Sequence, residues 1–161
     1  MKKSAFITIG ALVAFAAVNT ASAQSATQTV TFQVTAINQI AVTGTPSLVI
    51  NTASAGSAPT SVTSSGNTWS VTTNQTGASI TASIPTAMPT GVTLSANLTA
   101  PSGATSTGLT ALGTTAVNVV TNITKLNASG LALAYQLDAT AAAGVVSSAT
   151  RVVTFTITGG V

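Results

Sequence analysis

Beyond Lys3 the chain carries three charged side chains, Lys125, Asp138 and Arg151, and its 161 residues include no His and no Cys. General acid–base catalysis relies on an imidazole, or on a carboxylate with a tuned partner. A single carboxylate side chain cannot make the pair that a glycoside hydrolase uses. From Gln24 onward 46 residues are Ser or Thr, but a hydroxyl is a weak nucleophile without a base in hydrogen-bond reach. Lys125 is the only amine that could serve as that base, and no motif surrounds it. Zinc sites draw on His and Cys, and calcium sites on several carboxylates. The composition therefore points away from an enzyme, and no metal or other cofactor is expected.

Four weaker chemistries remain. Asp138 and Arg151 fall near the ends of the last two apolar runs, where an exposed ion pair would contribute under about 1 kcal/mol. Lys125, Asp138 and an Asn have the residue types of an intramolecular isopeptide crosslink, as some surface pilins use, but nothing singles out the Asn. Trp69 and Tyr135 have the ring chemistry to stack on a sugar, yet each alternates with polar neighbours, which favours a core position. The hydroxyl ladder of Thr154, Thr156 and Thr158 suits an ice-binding face only locally, because no period carries it along the chain.

The elements that position these residues begin with a targeting segment. Met1-Lys2-Lys3 precedes a mostly apolar run over residues 5–18 and the small residues Ala21-Ser22-Ala23. These are the three parts of a secretory signal peptide, and the run is short for a membrane span of about 20 residues. Cleavage between Ala23 and Gln24 is expected, giving a single mature domain over residues 24–161. Its side chains carry a net charge of +1, too few cations for the phosphate contacts of a nucleic-acid binder. An exported chain without Cys draws its stability from packing and backbone pairing alone.

Thr and Val dominate the mature chain, and both suit a pleated, half-buried surface. The decisive signal is period two. Val30, Phe32, Val34 and Ala36 alternate with Thr29, Thr31, Gln33 and Thr35, and the same parity resumes at Ile40 and Val42. Similar alternation runs through Trp69 and Val71, Ile80 to Ile84, Val92 to Leu98, Val117 to Ile123, Leu131 to Leu137, and Val153 to Ile157. With a short run at Leu48 to Ile50, about eight strands are expected. Residues 52–67 and 100–113 read as long loops. The last two strands are expected to form a hairpin around residues 141–149, pairing Leu137 with Val153, Tyr135 with Phe155 and Leu133 with Ile157. The expected fold is all-β, an antiparallel β-sandwich that is immunoglobulin-like or pilin-like. A transmembrane barrel also alternates, but the four aromatics after Gln24 cannot form two girdles.

The ending, Leu131-Ala132-Leu133-Ala134-Tyr135-Gln136-Leu137 with Arg151-Val152-Val153-Thr154-Phe155-Thr156-Ile157-Thr158, resembles the closing hairpin of bacterial secreted surface sandwiches. Pilin-like and spore-coat-like subunits and WxL-type cell-wall domains share that style. Trp69-Ser70-Val71 is similar to the Trp-x-Leu element except at its third residue, and the disulfide common in chaperone–usher pilins is missing. The resemblance implies a surface sandwich and transfers no binding residue.

Two functions follow as expectations. The first is a secreted or cell-surface structural protein, extracellular or periplasmic, whose subunits self-associate into a fibre, coat or matrix by strand pairing. The second is a monomeric adhesin or carbohydrate-binding module with a surface glycan or cell-wall partner, in which Trp69 and Tyr135 would stack on sugar. After cleavage neither spans a membrane. The assembly strand expected under the first is the segment through Val30, Phe32, Val34, Ile40 and Val42. No charge blocks edge pairing from Gln24 up to Lys125.

Overall fold

The computed structural model describes residues 22–161; the basic start and apolar run of the expected signal segment lie outside the described residues. The chain divides after Gln33, and the second unit is Val34–Val161. Residues 22–33 contain no strand, and the side chains of Val30 and Phe32 are 73% and 89% exposed.

The second unit is an antiparallel sandwich of two open sheets, with no α-helix among the described residues. Its strands are β1 (Asn38–Thr43), β2 (Val62–Thr63), β3 (Asn67–Thr73), β4 (Ala78–Ser83) and β5 (Val92–Leu98). They continue as β6 (Thr105–Ser106), β7 (Thr110–Ala111), β8 (Val117–Ile123), β9 (Leu126–Ala139) and β10 (Thr154–Thr158). The larger sheet runs β1-β3-β9-β5-β7, with β2 also on β9, and the smaller runs β10-β4-β8-β6. Each sheet keeps two edges, so the sandwich is not a closed barrel.

Period two builds the core directly. Along β3, Asn67, Trp69, Val71 and Thr73 are buried while the residues between them are not. β4 does the same with Ala78, Ile80 and Ala82. Trp69, Ile80, Ile84, Leu98 and Ile123 are the largest fully buried side chains, filling the space between the two inner faces. β9 pairs with both β3 and β5 and is the longest strand. It absorbs an extra residue between Ala128 and Leu131, opposite Trp69 and Val71. Gly130 sits in that bulge at φ 67°, a left-handed conformation that a side chain would strain.

Three expectations change. The last two strands do not form a hairpin: β10 pairs with β4 in the smaller sheet, Phe155 opposite Ala82, while Tyr135 on β9 lies opposite Ala96. The connection between them crosses from one sheet to the other, and matched parity suits packing across the core as well as pairing within a sheet. Residues 48–50 form no strand, and neither do 30–36; the first strand starts at Asn38. The two expected loops contain the short strands β2, β6 and β7, which polar composition had hidden.

Candidate functional site

The start of the sandwich is fixed by one side chain. The Ile37 N–H donates to Asn74 Oδ1 at 2.8 Å, and Asn74 Nδ2 donates to the Thr35 carbonyl at 2.7 Å. The Asn74 N–H in turn donates to the Ile37 carbonyl at 3.2 Å. Val34, just before this clamp, is 77% exposed. Ile40 and Val42 then lie on β1, opposite Val71 and Trp69, with Ile40 half-buried and Val42 exposed. The five residues of the expected assembly strand are thus split: two on an edge strand and three on unpaired chain. Ala23 and Gln24, at the expected cleavage point, are both exposed and outside any strand.

A groove of about 880 Å³ opens at one end of the sandwich. The ladder between β4 and β10 stops at Ser83 and Thr154. Pro85 and Pro89 follow β4, and a proline has no N–H to extend a ladder. The larger sheet continues, with Leu94 opposite Leu137 and Val92 opposite Ala139. These residues and Tyr135 form an apolar floor to the groove. Leu48 and Ile50 line one side, and Val146 and Val153 line another. Residues 44–52 and 144–153 on these sides belong to no strand. Among the described residues, 45–51 and 145–153 make no backbone–backbone hydrogen bond.

Polar contacts hold the frame of the groove. The Arg151 guanidinium donates to the Ala87 carbonyl through Nε at 3.3 Å and Nη2 at 3.1 Å, and to the Thr150 carbonyl at 2.9 Å. Asp138 accepts from Ser61 Oγ and from Gln136 Nε2 at 3.0 and 3.1 Å. Asp138 and Arg151 therefore do not pair with each other, each having separate partners. Lys125 immediately precedes β9 and Asp138 is its next-to-last residue. Twelve residues of strand rise, on the order of 40 Å, separate the two and leave no room for an isopeptide site.

Trp69 is 1% exposed and its Nε1 donates to the Thr99 carbonyl at 3.2 Å, so its ring offers no face to a sugar. Tyr135 is 7% exposed and lines the groove; burial pushes its phenol above the ordinary value of 10.0. Thr154, Thr156 and Thr158 point outward from β10, opposite Ser83, Thr81 and Ser79 of β4. Sequence reasoning missed the groove and the Asn74 clamp. The signal for the groove was present as apolar residues, Leu48 to Ile50 and Val146, inside stretches with no alternating partner.

Neither a protein-family model, nor a curated protein, nor a solved structure matches this chain.

Proposed function

We propose that this is a secreted bacterial cell-surface structural protein, a pilin-like subunit of a fibre, coat or matrix that self-associates by strand pairing. The observation that carries the reading is the stretch at Val30, Phe32 and Val34: alternating, apolar, uncharged, exposed and in no strand. Burying each such side chain is worth about 1.5–3 kcal/mol. Leaving three in water is costly for a lone subunit and favourable for an assembling one. The sparse charge agrees, since Lys and Glu are the usual guards against edge-to-edge pairing. Export to the extracellular or periplasmic side through a signal peptide removed at Ala23-Gln24 is part of the same reading.

The test is a concentration series of the mature chain, 24–161, followed by sedimentation and electron microscopy. Polymers that grow with concentration support it. A monomer at every concentration that binds a glycan array or cell-wall material points to the adhesin instead.

A further inference from the structure

Resting on that reading, and in particular on cleavage between Ala23 and Gln24, we propose that Gln24 is a modification site. Once it becomes the first residue, its amine closes on its own side chain to give a pyroglutamyl lactam. The mature chain then begins with a cyclic amide in place of a free amine.

The reaction needs two groups on one residue and no co-reactant. The lone pair of the Gln24 α-nitrogen attacks the side-chain carbonyl carbon, Cδ. The N–Cδ bond forms, the Cδ–Nε2 bond breaks, and Nε2 leaves as ammonia with the proton that the α-nitrogen gives up. An α-amino group has an ordinary pKa of about 7.7–8.0, so roughly a tenth of it is neutral and nucleophilic at pH 7. With both reactants on one residue the step is unimolecular. Of the six glutamines in the chain, cleavage gives a free α-nitrogen to Gln24 alone. Its surroundings also leave it free to turn. Gln24 is exposed, lies in no strand and makes no hydrogen bond among the described residues. By contrast, Gln75 and Gln136 donate their side-chain amides to Asn74 and Asp138.

Two properties of the mature chain follow. The first is charge. With both termini ionised, residues 24–161 carry a net charge of +1. Losing the α-ammonium brings that to zero, and a net charge near zero favours association, as a self-associating subunit requires. The second is protection. Residues 24–33 belong to no strand, and unstructured chain ends are where proteolysis concentrates. The same stretch carries the exposed Val30 and Phe32 on which the assembly reading rests. Asn74 fixes the backbone only from Thr35 and Ile37 onward, so trimming from an open end has residues 24–34 to consume. Aminopeptidases bind a free α-amine, and the lactam removes it.

The experiment secretes the full chain from a bacterial host and follows its N-terminus by intact mass, tandem mass spectrometry and Edman sequencing. Samples are taken at purification and after prolonged incubation at neutral pH. The proposal expects the mass of residues 24–161 less one ammonia, the loss placed on residue 24, and no Edman signal. A chain that starts at Gln24 with its full mass and a readable terminus after incubation overturns the lactam and leaves the export reading standing. A chain that keeps its leader, or is cut at another bond, overturns the cleavage site and the lactam together. Gln24→Ser keeps a small polar residue after Ala23 and cannot cyclise. Its product should focus at a higher isoelectric point by one positive charge. Under a broad aminopeptidase it should lose residues stepwise as far as Val34, while the unsubstituted chain stays whole. Equal trimming of both, or of neither, contradicts the protective role, and an identical focusing position contradicts the loss of charge.

Discussion

Asn74 and Ile37 are bonded to each other in both directions: the Ile37 N–H donates to the Asn74 side chain at 2.8 Å and the Asn74 N–H donates to the Ile37 carbonyl at 3.2 Å. With the further bond to Thr35, this clamp converts unpaired chain into β1 over two residues. Asn74→Ala removes these two side-chain bonds and the one that Asn74 Oδ1 accepts from Gln75 Nε2 at 2.7 Å. Each such bond is worth about 0.5–1.5 kcal/mol, so the urea midpoint should fall by the equivalent of about 1–3 kcal/mol. Hydrogen exchange should accelerate at Ile37 and leave β9 unchanged. Unaltered protection at Ile37 would show that the clamp is not what orders the start of β1.

Trp69 contributes through burial and through one hydrogen bond, and the two can be separated. Trp69→Ala should cost about 3–5 kcal/mol as a large buried ring is lost. Trp69→Phe keeps most of the apolar volume and leaves the Thr99 carbonyl without its indole donor, costing about 1–3 kcal/mol. Denaturant unfolding measures both. Equal losses for the two variants would mean that packing around Trp69 contributes little.

Side-chain parity gives a sharper test of strand-paired assembly. Val34→Lys puts a charge on the apolar face of the 30–36 segment, whereas Gln33→Lys puts the same charge on its polar face. Light scattering should show assembly abolished by the first and largely retained by the second. Assembly lost equally with both, or with neither, would contradict the assigned faces.

Tyr135 links stability to alkaline pH. Its folded-state phenol is raised above 10.0 by burial, so the folded chain holds the proton after the unfolded chain has released it. The stabilisation is complete below pH 10 and is lost as pH climbs from there through the folded-state value. Thermal unfolding between about pH 9 and 12 should show this fall, and Tyr135→Phe should flatten it. A profile identical in the two proteins would remove Tyr135 as its cause.

Gly91 ties the groove floor to its wall. It has φ 77°, and a Cβ there would lie 2.7 Å from Thr140 Oγ1 and 2.8 Å from the Ala143 nitrogen. The Gly91 carbonyl accepts from the Thr140 N–H at 2.8 Å. Gly91→Ala should therefore cost about 1–3 kcal/mol in strain and increase hydrogen exchange at Thr140. A fully stable variant with unchanged exchange would show that the turn can relax.

The burial of Trp69 and the position of Tyr135 on the inner face were legible because parity within a strand is a local property: side chains two residues apart share a face whatever the strand pairs with. The all-β class followed in the same way, from Thr and Val alternation over seven separate runs. The shortage of chemistry was legible by counting alone. Lateral pairing was not, because it depends on residues far apart in the chain. Period two puts Phe155 on the side of Tyr135 equally well as a hairpin partner or from the opposite sheet, and residues 140–153 crossing between the sheets decide for the latter. Alternation at Val30, Phe32 and Val34 likewise specifies an apolar face without supplying a neighbour to bond its backbone. Only the tertiary structure determines that the smaller sheet stops at Ser83 and Thr154 while β5 and β9 run on, since a groove is the difference between two strand lengths set by separate parts of the sequence.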